Sequence, residues 1–405
     1  MNVLFVVPYV PNLIRVRSYN LLRHLSVRGH RLTLLTVWAN EREREEVEQL
    51  KPYCHRVQAV CLPRWRSWWN CLCALPDSTP LQAVYSWHPE LTMRLAEASR
   101  EADVVHIEHL RGVRYGLYLK SHLANHSRRP PIVWDSVDSI SLLFRQAAER
   151  SKRRLSRWLT RFELRRTEQY EGQLVNQFER VLVTSPTDKE ALLSLSSFAK
   201  RLPLITVLPN GVDLEYFAPN PRIVREPATL VMSGKMSYHA NVTMLLHFVK
   251  DILPRIWSRR PDVRLCVVGK DPPREVQALA DNPAIAVTGT VKDVRPYLQR
   301  ASIAVAPVAY GVGIQNKVLE AMACATPVVA TPSAVSALRV QPGQDVLVAH
   351  EPQAFADTVW HLLEDPQQRL RVGQAGRRYV ETQHPWTAIV AQLEEVYNEV
   401  LSARF

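Results

Sequence analysis

Short apolar runs alternate with helical stretches along this chain, and the alternation constrains its fold more than any other feature. The runs of the first half cover residues 3–9, 31–37, 57–62, 103–109, 132–135 and 181–184. Those of the second half cover residues 229–233, 263–269, 284–288, 302–307, 327–330 and 345–349. Strands that alternate with helices build parallel sheets with helices on both faces. We therefore predict an α/β protein in which each series of runs forms a doubly wound parallel sheet.

The chain has 405 residues, which is too long for one ordinary hydrophobic core. A stretch rich in Pro, Asn and Gly, residues 209–221, separates the two series of runs as a linker would. We predict a first domain over residues 1–212 and a second over residues 213–385. A last helical stretch, residues 386–405, is long enough to pack back onto the first domain.

The segment from Gly311 to Ala330 places a glycine loop and the start of a helix between two apolar runs. Glycines let a backbone approach a ligand closely, and a helix N-terminus offers unpaired N–H groups to an anion. Lys317 falls in the first turn, where the helix dipole disfavours a cation unless an anion binds there. Glu320 lies one turn further on the same face and could accept hydrogen bonds from ribose hydroxyls. The pattern predicts a nucleotide-diphosphate site.

Other loops of the second series are candidates for the same site, because ligands of open α/β sheets bind beyond the carboxyl ends of the strands. Gly234 and Lys235 follow one run, and Lys235 could pair with phosphate oxygens. Gly269 and Val291 belong to the loops after the next two runs, which fit the surroundings of a nucleotide base.

The loop after the first apolar run contains no glycine and is therefore not a dinucleotide-binding fingerprint. Its Arg15 and Arg17 could reach a phosphate or a carboxylate, although exposed arginines before a helix are also common. Asp135 ends a later strand in the sequence DSVD, for which we favour helix capping over catalysis.

Two histidines and a glutamate, His106, Glu108 and His109, end the fourth run. Within a strand His106 and Glu108 would share one face, and His109 would take the other. Contact with a bound sugar and a structural role both stay open. A metal site is disfavoured, since no further ligand is apparent nearby.

The net charge of +12 favours an anionic partner, such as nucleic acid, a membrane surface or a phosphorylated substrate. Residues 145–166 contain nine Lys or Arg and two Glu, with Leu155, Trp158, Leu159 and Phe162 at helical spacing. Such a helix could lie on an anionic membrane, or its apolar stripe could pack on its own domain. Residues 64–69, RWRSWW, could likewise meet a membrane, a sugar or a lipid, or form a loop that fills a gap.

The composition favours a cytoplasmic location. The chain shows no run of about 18 apolar residues, and its first residues read as a buried strand rather than a signal peptide. None of the six cysteines forms a CxxC pair, so reduced thiols are favoured over disulfides or a zinc site.

In several of its motifs the chain resembles the retaining glycosyltransferases of family 4, also called group 1, which have the two-domain GT-B architecture. The strongest match is residues 313–329, with LEAMA at 319–323. The supporting matches are LPNGVD at 208–213, VVG at 267–269, TGTV at 288–291, RVLVTS at 180–185, and LLRHL at 21–25 with Gly29-His30. These motifs spread over nearly the whole chain.

The resemblance implies two Rossmann-like domains that face a cleft, with the acceptor on the N-terminal domain and the nucleotide sugar on the C-terminal one. It implies that Glu320 holds the ribose and that Lys235, Lys317 and nearby N–H groups hold the diphosphate, with no essential metal. The implied donor-binding residues are Gly234, Lys235, Gly269, Val291, Gly313, Ile314, Gln315, Asn316, Lys317, Leu319 and Glu320. We expect His109, Glu108, Lys235 and Lys317 to be the catalytic residues; the resemblance places a sugar contact within residues 106–109 and leaves open which of His106, Glu108 and His109 makes it. The implied acceptor-side residues are Arg15, Arg17, His106 and Asp135.

Three departures separate this chain from the family pattern. The family usually has two glutamates eight positions apart, and Val312 stands at the position of the earlier one. Asn241 stands at the position of the second phosphate-binding lysine. Asn12-Leu13-Ile14 replaces a glycine pair in the first loop. A subset of relatives with Gly-Ile-x-Asn-Lys suggests that Lys317 compensates for the second lysine.

We expect a hexosyltransferase-like enzyme that moves a sugar from a nucleotide-diphosphate sugar, with retention, to a glycan or lipid-linked acceptor in bacterial surface polysaccharide synthesis. It would be cytoplasmic or peripheral on the inner face of the cell membrane. A catalytically inactive relative that acts as a binding partner and a GT-B sugar-nucleotide epimerase are the alternatives. A nucleic-acid partner is disfavoured, because no nucleic-acid motif accompanies the basic residues.

Overall fold

The structure is a computed structural model that describes residues 1–150, 154–196 and 204–403. It divides into two compact units. The first contains Met1–Pro209 and Trp386–Phe405, and the second contains Asn210–Pro385. Each unit is built around its own parallel sheet.

The sheet of the first unit has seven strands, all paired in parallel. The strands are β1 (Asn2–Val7), β2 (Arg31–Trp38), β3 (Arg56–Cys61), β4 (Val104–Glu108), β5 (Ile132–Val137), β6 (Arg180–Val183) and β7 (Ile205–Val207). Their spatial order is β3-β2-β1-β4-β5-β6-β7. Strands β1, β4 and β5 are almost completely buried, as expected for a sheet covered on both faces.

The helices of the first unit connect these strands. They are α1 (Val16–Val27), α2 (Glu41–Glu48), α3 (Arg64–Cys73), α4 (Leu81–Tyr85), α5 (Pro89–Ala98), α6 (His109–His122), α7 (Ile140–Arg150), α8 (Arg154–Leu174) and α9 (Pro186–Leu195), with a short 3₁₀ turn at Lys51–Tyr53. Two separate hydrophobic clusters occupy the unit, and alternate residues of β1 point into each of them: Leu4 and Val6 into one, Val3 and Phe5 into the other.

The second unit has a six-stranded parallel sheet. Its strands are β8 (Glu226–Ser233), β9 (Arg264–Val268), β10 (Ile285–Val287), β11 (Ala301–Ala306), β12 (Val328–Ala330) and β13 (Leu347–Val348), in the spatial order β10-β9-β8-β11-β12-β13. Its helices are α10 (His239–His247), α11 (Leu253–Trp257), α12 (Arg274–Gln277), α13 (Arg295–Arg300), α14 (Asn316–Ala323), α15 (Pro332–Val335), α16 (Pro352–Glu364) and α17 (Pro366–Gln383), with a π-helical turn at Phe248–Ile252 and a 3₁₀ turn at Ala278–Asp281.

The last helix, α18 (Trp386–Ser402), belongs to the first unit. It contributes Trp386, Leu393 and Tyr397 to the cluster that also holds Phe5. Glu394 fixes its position on the surface by pairing with Arg28 and with the ring of His30 at 2.5 Å each. The end of the chain therefore completes one face of the first sheet.

The chain enters and leaves the second unit at neighbouring points. The N–H of Val212 donates to the carbonyl of His384 at 2.8 Å, and the ring of His384 is 2.8 Å from the carbonyl of Asn210. The boundary at Pro209–Asn210 therefore lies three residues before the predicted one, because the predicted linker is already hydrogen-bonded within the second unit.

The predicted fold class is confirmed. Both sheets are entirely parallel, with helices interleaved between the strands. Within the described part of the chain, β7 is the strand that the sequence pattern missed, because it is three residues long and lacks a clear apolar run. The segment at residues 64–69 is not a loop but the start of helix α3. No helix among the described residues is both long and apolar enough to cross a bilayer.

The predicted basic helix falls partly outside the described residues. Helix α8 begins at Arg154, but the side chains of residues 150–159, including Leu155, Trp158 and Leu159, lie outside them. Phe162 is 42% exposed and therefore does not pack into the core of its own unit.

Candidate functional site

Some of the predicted site residues follow the strands between which the strand order of each sheet reverses. In the first unit this point lies between β1 and β4, and in the second between β8 and β11. The connections on either side leave in opposite directions there, so a crevice forms beyond the carboxyl ends of the strands. The segments that follow these four strands carry Tyr9 and His109 in the first unit, and Lys235 and Gly313 in the second.

In the second unit the side chain of Asn241 joins the two predicted diphosphate-binding loops. Nζ of Lys317 donates to Oδ1 of Asn241 at 2.5 Å, and Nδ2 of Asn241 donates to the carbonyl of Lys235 at 2.9 Å. Asn241 is 8% exposed in the first turn of α10, so its two hydrogen bonds fix the geometry of both loops. The ammonium of Lys317 thus lies beside the position at which the family resemblance expects a second lysine.

Lys317 and Glu320 perturb each other within the first turns of α14. Burial lowers the pKa of Lys317 to about 8, against the opposing effect of Glu320. Burial raises the pKa of Glu320 to about 7, against the opposing effect of Lys317. Two half-buried groups that titrate near neutral pH in one turn are typical of a site that binds charge.

The N-terminus of α14 has no side-chain cap. The side chain of the N-cap residue Gln315 makes no capping hydrogen bond, and the N–H of Val318 donates to the backbone carbonyl of Gln315 at 2.9 Å, which leaves the N–H groups of Asn316 and Lys317 without a side-chain cap. Gly313 reaches this helix with a φ of 63°, in the left-handed region that favours glycine. Asn316 is fixed by Nδ2 of Asn210, which donates to its Oδ1 at 3.3 Å. A helix N-terminus of this kind is able to bind an anion.

Gly234 and Gly269 let the loops after β8 and β9 pass in contact. A Cβ on Gly269 would lie 1.7 Å from the carbonyl oxygen of Gly234, where no side chain fits. The N–H of Gly234 donates to the carbonyl of Val268 at 3.0 Å, and the N–H of Met236 donates to that of Lys270 at 2.9 Å. Gly269 therefore holds the loop of Lys235 in place, whether or not it also contacts a donor.

Two predicted donor-binding side chains belong to the core instead. Leu319 is completely buried and Ile314 is 8% exposed, and both pack in the hydrophobic cluster of the second unit. Their apolar side chains are better buried than exposed, so any contact with a donor would come from their backbone. Val291 is half-buried against the same cluster.

Three aromatic side chains near these loops were missed by the sequence analysis. The rings of Tyr238 and His239 stack at 4.8 Å, and the ring of Tyr310 lies 5.7 Å from that of His239. Tyr238 is 41% exposed. The signal available in the sequence was their position, since Tyr238 and His239 begin α10 and Tyr310 directly precedes the glycine loop.

In the first unit a tyrosine and a glutamate meet at the reversal point. The hydroxyl of Tyr9, after β1, donates to Oε1 of Glu108, the last residue of β4, at 2.5 Å. Burial raises the pKa of Glu108 to about 7, and the nearby carboxylate of Asp135 adds to the effect. Glu108 can therefore hold or release a proton near neutral pH.

His109 does not continue strand β4, as the sequence analysis assumed, but begins helix α6 with a φ of 64°. Burial, with help from Arg111, lowers the pKa of its ring to about 3, so the imidazole stays neutral at pH 7. Nδ1 of His109 accepts a hydrogen bond from the N–H of Arg111 at 3.2 Å, which leaves Nε2 as a donor. Left-handed backbone at a non-glycine residue concentrates at functional positions.

Arg17 and His106 both contact the carboxylate of Asp135 in the interior. Nε of Arg17 donates to Oδ2 of Asp135 at 2.7 Å, and the Arg17 side chain also donates to the carbonyl of Leu208 at 3.0 Å. The ring of His106 is 3.4 Å from the same carboxylate and 2.9 Å from the hydroxyl of Tyr397. Burial raises the pKa of Asp135, but Arg17 and His106 lower it below its usual value overall.

These contacts correct the sequence analysis in two ways. Arg17, His106 and Asp135 are buried and engaged with each other, so an acceptor would have to open this cluster to touch them. Asp135 also does not cap a helix. Helix α7 is capped instead by the hydroxyl of Ser139 and by Glu171, which accepts from the N–H of Ile140 at 2.9 Å. The partner glutamate lies 32 residues further on than Ser139, so a local pattern could not reveal it.

Arg15 is the predicted acceptor-side residue that remains near the surface. Its guanidinium lies 4.7 Å from the centre of the Tyr9 ring and donates to the carbonyl of Val10 at 3.2 Å. The contact holds Tyr9 in place beside Glu108.

The backbone at the end of β5 is also unusual. Val137 has a φ of 68°, and the N–H of Asp138 donates to the carbonyl of Ser136 at 2.9 Å across it. Burial and the carboxylate of Asp188 raise the pKa of Asp138 to about 7. Val137 and His109 therefore place two strained residues at the carboxyl ends of neighbouring strands.

Comparison with known proteins agrees with this geometry. Residues 14–216 match the family model Glycosyltransferase Family 4, and residues 227–365 match Glycosyl transferases group 1. A D-inositol 3-phosphate glycosyltransferase of Xylanimonas cellulosilytica is 29% identical over 257 residues, which are 58% of this chain and 60% of the relative. One of Salinispora arenicola is 34% identical over 144 residues, or 33% of this chain and 32% of the relative.

Solved structures share the fold over the whole chain. A sucrose-phosphate synthase of Thermosynechococcus elongatus superposes with a TM-score of 0.72 at 18% identity and covers 100% of both chains. Anabaena HepE in complex with UDP-glucose superposes with a TM-score of 0.70 at 15% identity, over 98% of this chain and 100% of HepE. With two GT-B-like parallel-sheet units and both family models matched, this chain belongs to glycosyltransferase family 4.

Proposed function

We propose that this protein transfers a sugar, with retention of configuration, from a nucleotide-diphosphate sugar to a glycan or lipid-linked acceptor in bacterial surface polysaccharide synthesis. The observation that carries the proposal is the contact of Lys317 with Asn241, which holds a half-buried cation beside a helix N-terminus that has no side-chain cap. HepE, which shares the fold, binds UDP-glucose.

The second unit would bind the donor. Lys235, Lys317 and the N–H groups at the start of α14 would hold the diphosphate, and Glu320 would accept hydrogen bonds from the ribose. Breaking the bond between the sugar and the diphosphate leaves negative charge on the phosphate oxygens. Preorganised cations and N–H groups stabilise that charge, so the proposal requires no metal ion.

The first unit would bind the acceptor. His109 offers a neutral imidazole with a donor at Nε2, which suits a sugar hydroxyl. Glu108, with a pKa of about 7 and a hydrogen bond from Tyr9, is suited to hold a proton near neutral pH. Both lie at the reversal point of the first sheet, where α/β proteins bind ligands.

The decisive experiment is a donor screen. Purified protein is incubated with UDP-, GDP- and ADP-sugars without an acceptor, while donor hydrolysis is followed by NMR and nucleotide binding by calorimetry. We expect one nucleotide to bind and its sugar to be hydrolysed slowly, and we expect Lys235→Ala and Lys317→Ala to weaken both binding and hydrolysis. If the nucleotide sugar binds but is not turned over, even after mixtures of acceptors are added, the result would favour an inactive relative. Interconversion of the free nucleotide sugar would identify an epimerase.

A further inference from the structure

Helix α3 has the reverse polarity of an ordinary surface helix, because its inner face is largely polar and its outer face is apolar. Its inner positions carry Ser67, Asn70, Cys71 and Ala74, whereas its outward face carries aromatic and aliphatic side chains. That face consists of Trp65, Trp68, Trp69 and Leu72, which are 68%, 71%, 60% and 55% exposed. These four positions have the spacing i, i+3, i+4 and i+7, so they form one continuous stripe.

Specific contacts fix this orientation. Nδ2 of Asn70 donates to the carbonyl of Trp87 at 2.9 Å, and Sγ of Cys71 lies 3.8 Å from the carbonyl of Leu81. At the end of the helix Arg166 of α8 donates to the carbonyl of Ala74 at 2.5 Å and also to that of Asp77. Because the inner side chains make these hydrogen bonds, the helix cannot rotate its tryptophans inward without losing them.

The exposed area is large for a monomer. A tryptophan side chain carries on the order of 200 Å² of surface, so three that are about two-thirds exposed present roughly 400 Å² of mostly apolar surface. This value is in the range of the largest patches on soluble proteins, which are often functional. Leu75, just after the helix, and Phe162 on α8 are also exposed, at 48% and 42%.

The surroundings of this face are basic. Residues 64–76 contain Arg64 and Arg66 and no acidic residue. Helix α8, joined to the end of α3 through Arg166, exposes Arg161 and Arg165 beside Phe162. Of the acidic side chains along these segments, Glu163 pairs with Arg166 at 3.0 Å, and Asp77 follows the end of the helix.

We propose that the outer face of α3, with Phe162 beside it, docks on an anionic lipid bilayer. Tryptophan is the residue that membrane–water interfaces favour, because its ring is apolar and its N–H is polar. Arginines beside such a stripe are attracted to anionic headgroups. A protein partner would also bury tryptophans, but the excess of basic over acidic side chains around the stripe favours a lipid surface.

The proposal deepens the proposed function, since a lipid-linked acceptor would lie in that surface, but its test does not require transfer. The full-length protein is mixed with vesicles of phosphatidylcholine alone, or with one third phosphatidylglycerol, and the bound fraction is measured by flotation. We expect binding to the anionic vesicles only, weakened by salt because the attraction is electrostatic.

The decisive variant is Trp65→Ser/Trp68→Ser/Trp69→Ser, for which we expect at least about a tenfold loss of partitioning. Its matched control is Met93→Ser/Leu370→Ser, which removes two side chains that are 65% and 55% exposed on other helices and should bind as the wild type does. Circular dichroism and the melting temperature should not change in either variant, because the replaced side chains are exposed. If the triple variant misfolds, the single variant Trp68→Ser is tested instead, and the quenching of tryptophan fluorescence by brominated lipids is measured. The quenched fluorescence should fall by about the amount that one tryptophan at the membrane interface contributes.

Three outcomes would overturn the proposal. The wild type does not bind anionic vesicles, the triple variant binds them as well as the wild type, or the triple variant converts a wild-type dimer to a monomer in lipid-free sedimentation. The last result would assign the stripe to a second copy of the chain. Loss of vesicle binding with unchanged nucleotide binding separates this proposal from the failure of the proposed function.

Discussion

Nζ of Lys317 lies 2.5 Å from Oδ1 of Asn241, so a cation carried by α14 lies against a side chain of α10. The two residues are 76 positions apart. The position of the charge, rather than the identity of the residue that carries it, should then decide how well a diphosphate binds.

We predict that the charge can be moved across this contact. Lys317→Ala should weaken nucleoside-diphosphate binding by about 10- to 100-fold, the effect of one charged hydrogen bond. Asn241→Lys in the same chain should restore most of it. Calorimetry measures both, with Lys250→Ala, an exposed lysine of the same unit, as the control. If sugar transfer is unchanged in Lys317→Ala but abolished in Lys235→Ala, Lys317 does not compensate for the missing second lysine.

The pKa of Lys317 predicts how nucleotide binding depends on pH. The side chain loses its proton above a pKa of about 8, so affinity should fall about tenfold between pH 7.5 and 9.5. The nucleotide phosphates keep their charge in this range, which isolates the contribution of the protein. Lys317→Arg should remove most of the fall, because an arginine stays protonated throughout. An equally steep decline in that variant would point to another group.

The lowered pKa of Lys317 also makes the stability of the folded protein depend on pH, but stability should rise with pH where nucleotide affinity falls. The folded protein binds fewer protons at Lys317 than the unfolded chain between pH 8 and 10.5, so this group makes the protein more stable as pH rises through that window. At neutral pH the charged Lys317 therefore lowers the free energy of unfolding, as expected of a group that serves binding rather than stability.

We expect Gly269→Ala to be severely destabilising. The new Cβ would lie 1.7 Å from the carbonyl oxygen of Gly234, and the backbone would have to move. The loss should be about 3 kcal/mol in urea unfolding, with loss of nucleotide binding. Gly289→Ala is the matched control, since nothing lies within 4 Å of its Cβ and its φ of 67° alone should cost about 1 to 2 kcal/mol. Similar losses in the two variants would contradict the steric argument.

The buried pair of Arg17 and Asp135 should stabilise the first unit only as a pair. Arg17→Met leaves the buried carboxylate of Asp135 without its guanidinium partner, with the ring of His106 at 3.4 Å, and should cost about 3 to 5 kcal/mol. Arg17→Met/Asp135→Leu should lose less than the sum of the single changes. The pKa of Asp135 is lowered in the folded state, so the stabilisation is present above the ordinary pKa of an aspartate and is lost as pH falls below it.

Urea titrations at pH 7 and at pH 3, which lies below the ordinary pKa of an aspartate, measure this effect. The gap between wild type and Arg17→Met should shrink at the lower pH. A gap that is the same at both values, or a double variant whose loss equals the sum, would rule out the ion pair as the cause.

The arrangement of the candidate-site loops in the second unit was largely visible in the sequence. The loop of Lys235 and the glycine loop before α14 each follow an apolar run, and in a parallel sheet both runs end at the same edge. Local rules therefore predicted that Lys235, Gly313 and Lys317 lie in neighbouring loops. The role of Asn241 as the side chain that joins them was not predicted, because its two partners come from distant parts of the chain.

The first unit shows the limit of such rules more clearly. The sequence pattern named Arg17, His106 and Asp135 as residues that could contact an acceptor, but folding places them against one another in the interior. It also treated His109 as part of a strand, whereas the chain turns there into α6. Whether a polar side chain faces a ligand or a buried partner depends on which strands become neighbours.

By itself, therefore, the sequence determined the two parallel sheets, since the alternation of apolar runs and helical stretches is a local property of the chain. It also determined which loops meet at the carboxyl edge of each sheet. Only the tertiary structure decided that Lys317 contacts Asn241, that Tyr9 contacts Glu108, and that the tryptophans of α3 face outward. Each of these outcomes depends on contacts between residues far apart along the chain, and periodicity carries no information about such contacts.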